Sequence, residues 1–304
     1  MNTFNTRVAP SPTGHFHLGT ARTAYHNWLA ARSTGGKFIL RIDDTDQNRN
    51  NDAYVDLIYT ALDWLGIDYD STFKQSDKIQ HYKDVAVALI DAGMATYDGA
   101  AIRLKTSYAL DSWTDFTSKV IPITDKDADF ANNLVLIKSD GYPTYNFATI
   151  VDDIDTDINL IIRGADHIAN TSKQVFVLQA LADLKYKNAS RNNMSFCHVG
   201  LIMVKDVNTQ KMVKLSKRNA ASNLMSYRDD GYLPDAVLNA VLRLGWAHKD
   251  PMFDKNHPTV DKDLAKQLFF QGNLKFANCS FDPAKLISLD KAFKKLNATN
   301  LMKP

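Results

Sequence analysis

Two short stretches carry groups suited to handling phosphates. The first is Arg7-Val-Ala-Pro-Ser-Pro-Thr-Gly-His-Phe-His-Leu-Gly19. A strand ends there, a turn follows, and a helix begins just after His17-Leu-Gly-Thr20. A helix N-terminus offers free backbone N–H groups and the positive end of a dipole, so the turn is a natural phosphate seat. His15 and His17 stand where imidazoles could donate to phosphate oxygens, and Gly19 lets a nucleotide approach the backbone closely. A capped helix with two surface histidines is the plainer alternative. Gly14 and Gly19 also have the spacing of a P-loop, but Thr20 stands where that motif needs lysine, which excludes a P-loop NTPase. The second stretch is Lys214-Leu-Ser-Lys-Arg218, with Lys211 nearby. Basic runs are usually solvated surface. This one gains weight by following the last parallel strand, near the sheet edge where such folds bind ligands. A loop with two lysines suits the charge of a departing pyrophosphate.

These groups need elements to hold them. Thr6–Ala9 reads as a short strand, and the turn formers Pro10-Ser-Pro-Thr-Gly14 end it. A helix runs from Leu18 or Gly19 to about Arg32, with Ala24, Trp28 and Ala31 at helical spacing, and Ser33-Thr-Gly-Gly36 stops it. Lys37–Ile42 is a half-buried strand, and Asp52–Leu65 is a helix ending at Gly66. This β-α-β-α order predicts a parallel sheet with right-handed crossovers. From about Tyr97 to Asn146, short β-like runs broken by Pro122, Gly141 and Pro143 suggest an insertion with its own small sheet. The parallel pattern returns with Asn159–Ile162, a helix from Thr171 to Leu184 and a strand near Phe196–Met203. Helices at Pro234–Leu244 and Asp261–Phe269 make the last third read as all-helical. The fold class is therefore α/β.

Composition narrows the setting. At 304 residues, 45% hydrophobic and 23% charged, the chain is neither disordered nor low-complexity, and it is long enough for about two domains. The charge, 36 − 34 = +2, neither demands nor excludes a nucleic-acid partner, because a local basic face can hide in a balanced total. Cys197 and Cys279 are too few for a disulfide framework or a four-thiolate zinc site, which points to a reducing compartment. No stretch approaches the ~18 apolar residues of a membrane helix, and the N-terminus has no apolar signal core. The expected location is cytoplasmic.

The stretch from Arg7 to Gly19, with His17-Leu-Gly-Thr20, resembles the HIGH signature of class I aminoacyl-tRNA synthetases, and Lys214–Arg218 resembles their KMSKS loop. Further motifs narrow the likeness. They are Arg41-Ile-Asp-Asp-Thr-Asp46, Ser139-Asp-Gly-Tyr-Pro-Thr-Tyr-Asn-Phe147, Val151-Asp-Asp153, Ile162-Arg-Gly-Ala-Asp-His167 and Tyr227-Arg-Asp-Asp-Gly-Tyr-Leu-Pro234. Together, and in this order, they resemble the glutamyl-tRNA synthetase family over roughly residues 6–290.

The resemblance implies a Rossmann-like catalytic domain over 1–96 and 147–221, an inserted acceptor-stem-binding domain over 97–146, and a helical stem-contact region over 222–304. It implies an enzyme that activates L-glutamate with ATP to glutamyl-adenylate and transfers it to the 3′ end of tRNA(Glu). Such chemistry needs alignment and stabilisation of spreading negative charge rather than an enzyme nucleophile. By the same resemblance Arg7 and Arg163 bind the substrate carboxylate, joined by Ala9, Ser11 and Tyr145, while Asp43 holds the α-ammonium. Thr13, Gly14, His15, His17, Gly19 and Thr20 take ATP, as do Asp166, His167, Leu215, Ser216 and Lys217. His17, Lys214 and Lys217 carry the catalytic charge stabilisation. Mg²⁺ is expected on the ATP phosphates, and the partner is the acceptor arm of tRNA, met by a monomer.

Some positions depart from the family. Asp43 is shorter than the usual glutamate, and Ala165 replaces an acidic residue. Thr96–Ala101 passes without the zinc cysteines that many relatives carry, so no zinc is expected. The chain ends soon after Leu286-Ile-Ser-Leu-Asp290, which implies a short form lacking the anticodon-binding domain. Two other functions stay open. A glutamyl-queuosine tRNA(Asp) synthetase fits the short length and Arg163-Gly-Ala-Asp166, whereas Tyr227–Asp235, Leu242–Trp246 and Arg218 favour the ligase. A catalytically silent, synthetase-like RNA-binding protein would be expected to have damaged signature residues, and here they are intact.

Overall fold

The computed structural model describes residues 2–46, 48–206, 209–215, 223–248 and 259–301, the side chains of 300 and 301 excepted. The chain begins with β1 (Thr6–Val8), α1 (Leu18–Thr34), β2 (Phe38–Ile42), α2 (Asp52–Leu65) and β3 (Ser71–Lys74). The three strands pair in parallel, with Arg7 beside Ile39 and Arg41 beside Phe73. The helix ends follow the residue signals. Gly35 and Gly66 adopt φ of 71° and 59°, a left-handed cap that a side chain would strain. α1 is rich in alanine and buried along most of its length, so it can run deep beneath the sheet.

After α3 (Ile79–Asp91) come β4 (Ala95–Asp98), β5 (Ala101–Leu104), β6 (Ser112–Thr114), β7 (Val120–Pro122), α4 (Asp125–Asn132) and β8 (Val135–Ile137). β4, β5 and β8 form an antiparallel sheet, and β6 and β7 form a hairpin. This segment shares a hydrophobic cluster with its surroundings. Ile102, Leu104, Trp113 and Leu136 belong to the same buried group as Tyr82 of α3 and Phe176, which lies further along the chain.

The parallel pattern resumes with α5 (Tyr145–Asp155), β9 (Leu160–Gly164), α6 (Ile168–Asp183) and β10 (Ser195–Val199), β9 and β10 pairing in parallel. β9 lies on the far side of β1 from β2. The Asn5 carbonyl accepts the amides of Asn159 and Leu160 at 3.1 and 3.3 Å. Beyond that point Asn27 of α1 stands in for a ladder partner. Its amide donates to Ile162 O at 2.7 Å, its side-chain oxygen accepts from Ile162 N at 3.2 Å, and its carbonyl accepts the Thr6 hydroxyl at 2.7 Å. The spatial order is β3-β2-β1-β9-β10, and the chain changes sides between β1 and β9. In open α/β sheets such a switch leaves a crevice at the carboxyl ends of the strands.

The remainder comprises β11 (Ile202–Lys205), β12 (Met212–Lys214), α7 (Leu224–Asp229), α8 (Pro234–Leu242), β13 (Trp246–Ala247), α9 (Lys262–Leu268), β14 (Asn273–Leu274), β15 (Cys279–Ser280) and α10 (Pro283–Leu301). Two expectations need correction here. The strand expected near Phe196–Met203 is two strands, broken at Gly200, where a side chain would run into the Ala277 carbonyl. The last third is also not all-helical. β15 joins β11 in parallel, and β13 pairs with β14. Strands of two residues are too short to show a period of two, so the sequence pattern could not reveal them. Leu238 and Val241 of α8 and Leu286, Leu289 and Phe293 of α10 complete the core around Ala21 and Ala24 of α1. No helix among the described residues is long and apolar enough to cross a membrane.

Candidate active site

A cavity of about 330 Å³ opens at the carboxyl ends of β1 and β9. Arg7 and Ala9 reach it from the end of β1, Ser11, Thr13, Gly14 and His15 from the turn, and His17, Gly19 and Thr20 from the start of α1. Tyr145, Arg163, Asp166, His167, Lys214 and Leu215 line it as well. Of the other expected site residues, Asp43 does not line the cavity, and Ser216 and Lys217 lie outside the described residues.

The turn is built around His17. Its Nδ1 accepts the Thr20 amide at 3.1 Å, so the imidazole itself caps α1. A Cβ on residue 19 would lie 2.9 Å from that ring, which is a local reason for Gly19. Leu224 N donates to the Phe16 carbonyl at 3.0 Å, so the segment after the basic loop is anchored to the turn.

Beneath the cavity lies a buried charge network. Arg7 grips Asp153 with two N–H groups, at 3.0 and 3.1 Å. Arg41 donates to Asp153 at 2.8 Å and to Asp43 at 2.6 Å. Asp43 is thus bound to Arg41, two residues away on the same side of the strand, rather than presented to the cavity. Burial is the largest influence on it and raises its carboxyl despite the arginine. For Asp153 burial is outweighed by Arg7 and Arg41, and its carboxyl is held low.

Arg163 differs. It is 5% exposed and contacts only neutral groups. Nη2 donates to Thr171 Oγ1 at 2.5 Å and Gln174 Oε1 at 2.6 Å, Nε to His198 Nε2 at 3.4 Å, and Nη1 to the Tyr145 hydroxyl at 3.4 Å. None of the ion pairs among the described residues involves it. Burial is the main influence on its charge and opposes it. The Tyr145 hydroxyl also lies 3.2 Å from His167 Nδ1. Burial, and then the Arg163 charge, push His167 down to about 4, so it is neutral near pH 7. Asp166 accepts from Lys214 Nζ at 2.9 Å, and this contact helps to outweigh burial and hold its carboxyl low.

The sequence pattern missed Thr171, Gln174, His198 and Asp115, which surround Arg163 directly or through one another. It also missed Arg22, which reaches the cavity from α1. The available signal was a charged or polar residue inside an apolar run, as in Phe196-Cys-His-Val199. Among the described residues, no group of three or more acidic, histidine or cysteine side chains is placed to hold a metal ion.

Comparisons with known proteins bear on this arrangement. The profile described as "tRNA synthetases class I (E and Q), catalytic domain" matches residues 3–100 and 97–268. Glutamate–tRNA ligase 2 of Neorickettsia sennetsu is 40% identical over 288 residues, which are 95% of this chain and 65% of that one. Glutamate–tRNA ligase of Thermodesulfovibrio yellowstonii is 36% identical over 327 aligned residues, covering 95% of this chain and 66% of that one. A crystal structure of a glutamate tRNA ligase from Elizabethkingia meningosepticum, in complex with its amino acid, superposes with a TM-score of 0.80. It is 25% identical, and the match covers 97% of this chain and 70% of that one. The chain thus spans about two thirds of the length of the proteins it resembles.

Proposed function

The chain belongs to the class I tRNA synthetases of the glutamate and glutamine type, and we propose that it is a glutamate–tRNA ligase. It would join L-glutamate to ATP as glutamyl-adenylate and pass the glutamyl group to the 3′ end of tRNA(Glu). The observation that carries this reading is Arg163, a buried guanidinium whose protein contacts are all neutral. A substrate carboxylate would supply the missing negative charge, whereas a carboxamide would not. This favours glutamate over glutamine.

The other roles follow from position. Arg7 is held by Asp153 along one edge and presents the rest of its guanidinium to the cavity, so two cations flank the same space. The turn before α1 would take the ATP phosphates on its backbone N–H groups. Lys214, and Lys217 beyond it, would offset charge on the α-phosphate and pyrophosphate as the bond breaks. Mg²⁺ would arrive on the phosphates. The donor set fits this, because Asp166 is the one carboxylate lining the cavity among the described residues and no protein cage surrounds it. A monomer is the proposed working unit. The acceptor arm of tRNA, in the cytoplasm, is the proposed partner.

The test is ATP–pyrophosphate exchange with each amino acid, with and without tRNA, followed by charging with labelled glutamate. Glutamate-dependent exchange and label on the terminal ribose of tRNA(Glu) are the expected results. Label on queuosine-containing tRNA(Asp), away from the 3′ end, would replace this reading with the queuosine one. No exchange under any condition would leave a silent RNA-binding protein.

A further inference from the structure

We propose that Asp115 and His198 are positioning residues that hold Arg163 in the orientation needed to receive a carboxylate. Asp115 sits just after β6, in the segment that carries the small sheet, and His198 is on β10. The two are 83 residues apart in sequence and both fully enclosed. Asp115 Oδ2 takes the His198 backbone amide at 2.9 Å and lies 2.7 Å from Nδ1. The carboxylate therefore selects the tautomer with the proton on Nδ1. That leaves Nε2 as an acceptor, and two donors converge on it: the Thr171 hydroxyl at 2.9 Å and Arg163 Nε at 3.4 Å. Thr171 in turn accepts from Arg163 Nη2. The chain of donors runs one way, from Arg163 through Thr171 and His198 to Asp115. With the other tautomer, an N–H of His198 would point at the guanidinium. Arg163 Nε and Nη2 are thus occupied, and Nη1 is the edge left for the cavity beside Tyr145. Asp115 itself is pinned by the Thr117 amide and hydroxyl, at 2.8 and 2.6 Å.

The proposal rests on the reading of Arg163 as a carboxylate receptor, and two independent readouts separate their failures. Ring ¹⁵N NMR of His198 should show the proton on Nδ1 in the wild type and on Nε2 in Asp115→Asn. In exchange assays, Asp115→Asn and His198→Ala should raise the KM for glutamate by about 10- to 100-fold, the scale on which partners that orient metal-ligating side chains act. The KM for ATP should stay within about twofold. His198→Gln, whose side-chain oxygen can replace Nε2 as acceptor, should recover most of the loss. A wild-type ring protonated on Nε2 would overturn the proposal, as would equal losses for both substrates or no rescue by glutamine. The expected ring state together with a wild type that ignores glutamate would instead sink the carboxylate-receptor reading, and the proposed role with it.

A second inference comes from composition. All 34 acidic residues are aspartate, and the 304 residues contain no glutamate. Glutamate is among the commonest residues of soluble proteins, so its absence here is a constraint rather than an accident. We infer that these residues can be synthesised where glutamyl-tRNA is absent, so that the chain can restore the product of its own proposed reaction. In a reconstituted translation system without glutamyl-tRNA synthetase but with glutaminyl-tRNA supplied, a gene for this chain should rescue a glutamate-containing reporter after a lag. A reporter rescued by added purified chain but not by its gene would overturn the inference. No rescue by either would overturn both the inference and the ligase reading.

Discussion

Arg7 and Arg163 approach one cavity from neighbouring strands, but only Arg7 has a carboxylate partner, Asp153 at 3.0 Å. A buried cation without a counter-ion costs several kcal/mol after relaxation. The surrounding oxygens of Thr171, Gln174 and Tyr145 offset part of that cost, and an anion from outside would offset the rest.

Arg163→Ala and Arg163→Lys should therefore raise the KM for glutamate by about 10- to 100-fold or more, the loss of one or two charge-assisted hydrogen bonds at ~1.5–3 kcal/mol each. Lysine should not rescue, because it lacks the planar fork that Thr171, Gln174 and His198 grip. Glutamate should raise the melting temperature of the wild type and leave that of either variant unchanged. Parallel loss of ATP and glutamate use would remove Arg163 from carboxylate binding.

Lys214 and Asp166 form a pair that is about half exposed. Such pairs contribute less than about 1 kcal/mol to stability. Lys214→Ala should then leave denaturant midpoints nearly unchanged but slow adenylate formation by about tenfold or more. Unchanged turnover would mean that the pair is only a surface contact.

Much of this site was legible because its residues sit in short, contiguous signatures. Arg7, His17 and Gly19 belong to one strand-turn-helix, and Lys214 ends a strand. Asp115, His198 and Asn27 were not legible, because their roles depend on contacts 83 and 135 residues away that no local spacing encodes. Asp43 was the opposite case. Strand alternation puts Arg41 and Asp43 on the same side, so their pairing is readable from the sequence, whereas the family likeness implies the substrate ammonium as the partner of Asp43. The parallel sheet followed from alternating elements, whereas the two-residue strands β13 to β15 carried no periodic signal.

Gly19→Ala should displace the His17 ring, because the new methyl would meet it at about 2.9 Å. The loss of the cap is worth about 1 kcal/mol. The more telling effect is on ATP, whose phosphates are proposed to lie on this turn. The KM for ATP should rise several-fold while glutamate binding, read by thermal shift, is unchanged. A stability loss without any change in ATP use would confine Gly19 to a packing role.

Acid should weaken the fold before the carboxylates that are held low titrate. Burial pushes His26 to about 3, helped by the charge of Arg22, and pushes His167 to about 4, helped by Arg163. His198 is lowered as well, again mainly by burial. Each folded-state value lies below the unfolded 6.5, so between the two the unfolded chain binds more protons. The stability these groups contribute is fully present above about pH 6.5 and is lost as pH falls towards 4. For His167 the difference is worth about 3 kcal/mol over the whole window. The carboxylates held low, such as Asp153 and Asp166, add their loss only below their ordinary value of 3.8. Urea unfolding free energies should fall steadily from pH 7 to pH 4.5, with a shallower slope in His167→Asn. A flat profile, or the same slope in that variant, would show that His167 is not held neutral beside Arg163.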